Sequence, residues 1–331
     1  MTDIEGQVAA ALNDVAVVDR SFYGRISLTG ADSLDLLHRL STNDLASLSP
    51  GKSIQTIFLT DKGRIVDSVR LIVRPHDLLL ITSPQQESKV KTWIEKYTIM
   101  EDIRSQIVTR ETEMFSIIGP HSASTANRVF GAIPEPGANS SAQVDGVNIL
   151  LDYQKEPDFD CINVVSETGH PVSLGSTVVR ALNDPAVITA EAYDCIRIMS
   201  GSPSSQAEFT ECFNPLELGL RQSISFTKGC YVGQEIIARL DTYQKIQKCI
   251  ALFALDELPE LTSPELTIRH RDQVGILTSV ARVPYRSKYF SLGVVKLGTI
   301  HEGDLIELGS QPTGIKGLVV KIFDASRTIE N

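Results

Sequence analysis

The 331-residue chain has no C-x-x-C pair, no long apolar run, few aromatic side chains and a shortage of positive charge. Its five cysteines, Cys161, Cys195, Cys212, Cys230 and Cys249, are odd in number and widely separated. That pattern speaks against both a disulfide framework and a zinc site; even the recurrence of Cys212, Cys230 and Cys249 is wider than metal-site spacings usually are. No metal is therefore assigned. No apolar stretch approaches the roughly 20 residues that a membrane-spanning helix needs, so no membrane partner is expected. A formal net charge of −10 argues against electrostatic capture of nucleic acid, while leaving room for a local basic patch around a small anion. Met1-Thr2-Asp3-Ile4-Glu5 lacks the basic and apolar regions of a signal peptide, and a cytoplasmic protein is expected.

What remains is the composition of a soluble globular protein, 42% hydrophobic and 22% charged. The length suggests two or three domains. Residues 25–29 alternate as a strand, and Asp32 is placed to cap a helix over 33–40 with Leu34, Leu37 and Leu40 at helical spacing. Strands are expected over 54–60 and 64–73, joined by a turn in which Gly63 takes positive φ. A short strand at 78–82 precedes a helix over 86–97 with Val90, Trp93, Ile94 and Tyr97 on its buried face. A second block, with strands near 113–118, 147–153 and 159–165 and helices near 122–130, 176–182 and 190–199, has the same style. Residues 131–142, rich in Gly, Pro, Ala and Ser, read as a loop. From residue 248 the texture becomes short strands between Gly, Pro and Asp turns, the pattern of a small antiparallel barrel.

The densest chemistry lies in Lys228-Gly229-Cys230-Tyr231-Val232-Gly233-Gln234-Glu235. A lysine beside a thiol can hold it as thiolate. The glycines permit positive φ or close backbone approach. Gln234 and Glu235 can meet a polar group or open the next element. A buried, inert Cys230 filling a tight loop is the competing reading.

This segment, continued by Ile236-Ile237-Ala238-Arg239, resembles the signature of the YgfZ family of folate-dependent proteins, relatives of the T-protein (aminomethyltransferase) of the glycine cleavage system. Asp19-Arg20-Ser21 with Gly24, Thr42-Asn43-Asp44-Leu45, Lys62-Gly63-Arg64-Ile65, Arg197-Ile198 with Gly201, and Asn214-Pro215-Leu216-Glu217 add to the likeness, which covers nearly the whole chain. The resemblance implies an α+β fold: a clover-like arrangement of two ferredoxin-like α/β units (1–110 and 111–248) and a C-terminal antiparallel β-barrel (249–331) around a central opening that holds tetrahydrofolate. It implies that Asp67 is the carboxylate that assists one-carbon chemistry, with Ser68 standing where the T-protein has a second aspartate. It implies a glutamate acceptor for the pterin edge, Glu211 in the best alignment and Glu208 as the near alternative; a carboxylate suits that edge because it accepts two parallel hydrogen bonds. Tyr231, Gln234 and Arg239 join the folate-binding set. Lys248 stands where an arginine is expected and cannot form the planar fork.

Cys230 separates this branch from the transferase, which lacks it. With Lys228 and Asp67 it makes up the candidate catalytic set, as a transient iron ligand, a thiol-exchange group or an acceptor of a one-carbon unit. Three functions stay open. One is a tetrahydrofolate-binding accessory protein for iron–sulfur cluster assembly or repair, with iron–sulfur enzymes or assembly factors as partners. Another is a tetrahydrofolate-dependent aminomethyltransferase or demethylase. The third is a non-catalytic scaffold.

Overall fold

The structure, a computed structural model, describes residues 3–323 apart from 145, 156–158, 167–173, 184, 206, 260–265 and 310–313. In chain order the elements are α1 (Ile4–Asn13), β1 (Ala16–Asp19), β2 (Tyr23–Thr29), α2 (Ser33–Leu40), β3 (Ser53–Leu59), β4 (Ile65–Val73), β5 (Leu78–Pro84), α3 (Glu87–Tyr97) and β6 (Arg104–Ile107). Then come β7 (Met114–Ile118), α4 (Ser122–Phe130), β8 (Asn139–Val144), β9 (Val147–Lys155), β10 (Asp160–Ser166), α5 (Leu174–Ala181), β11 (Ala186–Ile188) and α6 (Ala190–Met199). The last are α7 (Gln234–Thr242), β12 (Lys248–Leu255), β13 (Leu266–His270), β14 (Asp272–Val280), β15 (Tyr289–Lys296), β16 (Leu305–Leu308) and β17 (Lys316–Phe323). The mixed α+β class and the closed barrel agree with the sequence reading.

The chain forms two compact units, one of Met1–Phe58, Asp67–Ala190 and Thr227–Val232, the other of Leu59–Val66, Glu191–Phe226 and Gly233–Asn331. In the first, a five-stranded sheet runs β3-β4-β5-β2-β6 and a six-stranded sheet runs β11-β1-β7-β10-β9-β8. The period-2 alternation of strands explains how they pack. In β9, Ile149 and Leu151 join Val17, Ile162, Leu174 and Val178 under the helices. Leu150, between them, faces the other way and packs with Val165, Ile72, Leu79 and Ile81, so the two sheets share an apolar layer. A buried ion pair is set into this unit: Arg70 of β4 donates to Asp152 of β9 from both Nε and Nη2, at 2.8 to 3.2 Å. Asn163 completes Asp152 through Nδ2 at 3.0 Å.

Two local expectations change, and one strand was not foreseen. Asp32 does not cap α2; its Oδ2 accepts instead from the backbone N–H of Asp102 at 2.8 Å, tying the helix entry to the chain before β6. Residues 139–142 are not loop but the start of β8, because pairing with β9 overrides the local Gly/Pro-rich texture. Ala16–Asp19, too short to show a period, is a strand of the six-stranded sheet, paired with β7 and β11.

In the second unit, β12-β15-β14-β13-β16-β17 close into a barrel. Ala251, Phe253, Ile268, Val295, Ile306 and Val319 fill it. The tip of the β3–β4 hairpin belongs here. Gly63 has φ +67, as its turn requires, and lies against Ile236 of α7.

Candidate functional site

In the first unit the cysteine segment is fixed by its lysine. Lys228 Nζ donates to the carbonyl oxygens of Ser41 and Asn43, each at 2.8 Å, and to that of His38. These carbonyls belong to the last turn of α2 and the residues just after it, where carbonyls lack helical partners and the helix dipole favours a cation. Three ammonium protons therefore meet three carbonyl oxygens. Burial pulls the Lys228 pKa down to about 8, with nearby Asp44 acting against that shift. His38 is drawn into the same corner: its Nδ1 accepts from the Leu45 N–H at 3.1 Å, so the neutral ring carries its proton on Nε2. Burial and Lys228 both lower its pKa.

Lys228 thus makes a backbone clip that fixes the start of the cysteine segment. Tyr231 is buried beneath it, its ring centroid 5.3 Å from Lys228 Nζ, and burial pushes its phenol up to about 12. Cys230, between these two anchored residues, is exposed, which removes the reading of an inert buried filler. The two glycines differ. Gly229 has open space where a Cβ would be, whereas Gly233, at φ +82, would place a Cβ 2.6 Å from the Thr60 carbonyl oxygen. Only Gly233 is required by the backbone.

Asp67, also in the first unit, is completely buried in β4. Its Oδ2 accepts from the Ser83 N–H at 3.0 Å, and its Oδ1 has no hydrogen-bond partner. Loss of water raises its pKa to about 6, hydrogen bonds from Ser83 and Ser68 opposing the shift. A buried acceptor without a donor is costly, and ligand sites are one place where such groups persist. Ser68 is half-buried and its Oγ accepts from Gln55 Nε2 at 2.9 Å.

The second unit holds Glu208, Glu211, Gln234 and Arg239. Glu208 is fully buried and already occupied: Oε1 accepts from the Ser279 hydroxyl at 2.7 Å, and Oε2 from the Ser204 N–H at 2.7 Å. Arg197 Nη1 stands 3.9 Å from Oε2, while Nη2 donates to Ser279 Oγ at 3.3 Å and Nη1 to the Ser202 carbonyl at 2.7 Å. Arg197, unremarked as chemistry in the sequence, is the hub of this network. Glu211 is exposed. Gln234 opens α7, and the exposed Arg239 makes an i,i+4 ion pair with Glu235 at 3.0 Å. Lys248, at the start of β12, lies over the Phe213 ring, 5.6 Å from its centroid.

Asp67 therefore fits a ligand that brings an N–H donor. Glu208 already has a donor on each oxygen, so a ligand there would share oxygens that serve Ser204 and Ser279. Among the described residues no group of three His, Cys, Asp or Glu side chains is placed to hold a metal ion, and no helix is long and apolar enough to cross a membrane.

Residues 1–137 match the family model described as the GCVT N-terminal domain. The chain is 30% identical over 307 residues to the chloroplastic protein of Arabidopsis thaliana named "putative transferase", covering 92% of this chain and 70% of that one. The chain belongs to the GCVT family. It is also 24% identical over 309 residues to the aminomethyltransferase of Halalkalibacterium halodurans, covering 89% of this chain and 82% of the relative. The glycine cleavage system aminomethyltransferase T from Bartonella henselae has the same fold, with a TM-score of 0.79 at 16% identity over 98% of this chain and 90% of that one.

Proposed function

We propose that this protein binds tetrahydrofolate or a one-carbon derivative and serves iron–sulfur cluster assembly or repair as a member of the YgfZ branch of its family. The observation that carries the reading is the exposed Cys230 on a segment anchored through Lys228 and Tyr231. Such an arrangement keeps one thiol presented to a partner while the backbone on its amino side is held. Bound tetrahydrofolate would supply the one-carbon carrier. Asp67, in the first unit, has a buried acceptor oxygen without a partner, Oδ1, that a ligand N–H would satisfy.

Complementation tests the reading. In a strain lacking this protein, aconitase-type activity should fall, and the wild-type chain should restore it. Cys230→Ser should not restore it, although it folds and binds tetrahydrofolate normally. Full restoration by Cys230→Ser would overturn the role of the thiol.

A second reading, aminomethyl transfer, is supported by relatives named aminomethyltransferase and by the retained Asp67. Ser68 in place of a second carboxylate counts against it. Ammonia and methylene-tetrahydrofolate released from an aminomethylated carrier protein would establish it.

A further inference from the structure

Ile99 and Met100, 86% and 94% exposed, are the most exposed large apolar side chains among the described residues, and they are adjacent in the chain. Apolar side chains scattered singly over a surface are ordinary; a pair at the head of a pinned loop is not. They sit in residues 98–103, the connection from α3 to β6. One carboxylate fixes the backbone under them. Glu101 Oε2 accepts from the N–H groups of Ile99 at 2.9 Å and Met100 at 3.1 Å, while Oε1 accepts from Arg39 Nη2 of α2 at 3.1 Å. Arg39 is steadied in turn by Asp35, one turn earlier, at 3.0 Å. The Ile99 amide and then Arg39 draw the Glu101 carboxyl down to about 2, so the grip holds at any ordinary pH. Both ends of the loop are tied as well. The Thr98 hydroxyl donates to the Ile94 carbonyl at 3.1 Å. The Asp102 N–H donates to Asp32 Oδ2 at 2.8 Å, and the Asp102 carbonyl lies so near Gly30 that a Cβ there would be 1.9 Å away. The main chain is thus held on either side of two apolar side chains that face solvent, and a partner that covers them pays little to order them.

We propose that residues 98–103 form a docking tip whose Ile99 and Met100 enter an apolar pocket of a partner protein rimmed by lysine or arginine side chains. The charges argue for that occupant. The loop carries Glu101 and Asp102 and no cation, and the neighbouring start of α2 adds Asp32 and Asp35. Arg39 stands among them, already engaged by Asp35 and Glu101. On α3, Lys91 is paired with Glu95 and Lys96 lies over the Tyr97 ring; Arg104, opening β6, is the exposed cation at the loop's far end. A second copy would bring the same carboxylates face to face, on a chain of formal net charge −10. An anionic lipid surface meets the same repulsion, and two side chains anchor poorly to any bilayer. A partner with a basic rim meets neither objection. Apolar anchors seated in a pocket and ringed by polar contacts are a common source of an interface's affinity. The partner's identity rests on the function proposed above: it is an iron–sulfur enzyme or assembly factor.

Two readouts separate the tip from that function. In the strain lacking this protein, Ile99→Asp/Met100→Asp should restore less than about a tenth of the aconitase-type activity that the wild type restores, at equal protein level, melting temperature and tetrahydrofolate affinity. Ile99→Leu/Met100→Leu should restore nearly all of it. In the same cells, the chain with Met100 replaced by p-benzoylphenylalanine should crosslink on illumination to a discrete protein, at a peptide with apolar residues beside Lys or Arg. That adduct should vanish with Ile99→Asp, and the same group placed at the exposed Thr92 of α3 should give none. Full restoration by the double aspartate variant, or absence of the adduct, would overturn the proposal. So would self-association of the purified chain, or its binding to phosphatidylcholine vesicles, wherever the aspartates abolish it, because a second copy or lipid would then cover the tip. An adduct formed by a chain that restores no activity keeps the docking tip and removes the iron–sulfur role. Restoration that the aspartates leave unimpaired does the reverse.

Discussion

Asp67 and Glu208 are both completely buried carboxylates, one in each unit, and their surroundings differ in kind. Glu208 has hydroxyl and N–H donors on its two oxygens and a guanidinium nearby. Asp67 has one oxygen served and one left bare. A carboxylate that the protein satisfies itself holds structure together. One that it leaves unsatisfied carries a desolvation cost that a ligand donor would relieve. The contrast separates two carboxylates to which the family resemblance gives different tasks, Asp67 in the catalytic set and Glu208 in the folate-binding set.

The largest effect is expected where the network is complete. Glu208→Ala removes the acceptor for Ser279 and Ser204 and leaves Asp194, 2.6 Å from Arg197, as the nearby carboxylate of that guanidinium, a loss of about 2–4 kcal/mol. Denaturant unfolding checks this, and a loss below about 1 kcal/mol would make Glu208 as dispensable as a surface carboxylate.

Lys228→Met comes next. It leaves three carbonyl acceptors without their donor, a cost of about 1–3 kcal/mol, offset in part by relief of the buried charge. Hydrogen exchange should rise locally over residues 227–232. The pH dependence has a definite sign. A lysine whose folded pKa lies near 8, below its unfolded value, carries a charge-burial cost at neutral pH. That cost diminishes as pH rises above 8, and the wild type should therefore gain on Lys228→Met in that range.

Asp67→Asn should act in the opposite direction. A carboxyl whose folded pKa is raised from 3.8 to about 6 contributes stability that is full below the lower value. That contribution is lost as pH rises through the upper one. The asparagine variant keeps an acceptor for the Ser83 N–H and carries no charge. It should be more stable than wild type above pH 6, by about 1–2 kcal/mol, and its stability should be flatter between pH 4 and pH 6. A stability loss at neutral pH would show that the bare oxygen is satisfied in solution. The smallest effect belongs to Arg239→Ala, whose exposed helical ion pair is worth about 0.3–0.5 kcal/mol. A large effect on tetrahydrofolate affinity there would give Arg239 a role that its ion pair does not show.

The barrel was legible because each strand is short, apolar and bounded by turn residues, and α2 because its leucines repeat at helical spacing. Strands β1 and β11, four and three residues long, carry no period and exist through pairing, β11 with β1 and β1 with β7. Helix α7 was hidden because a left-handed Gly233 precedes it, a conformation a glycine permits without announcing. At the site, residue types were readable and partners were not. Lys228 stands two positions from Cys230, yet its carbonyls lie 185 to 190 residues earlier. Glu208 looked like a free acceptor until Ser279, 71 residues on, closed over it.

The most direct test of the contrast is tetrahydrofolate calorimetry on Asp67→Asn and Glu208→Gln, each confirmed as folded. The account predicts that Asp67→Asn weakens binding by about tenfold or more, as expected for loss of a charge-assisted acceptor, and that Glu208→Gln stays within about threefold of wild type. Unchanged affinity in Asp67→Asn together with a large loss in Glu208→Gln would contradict it.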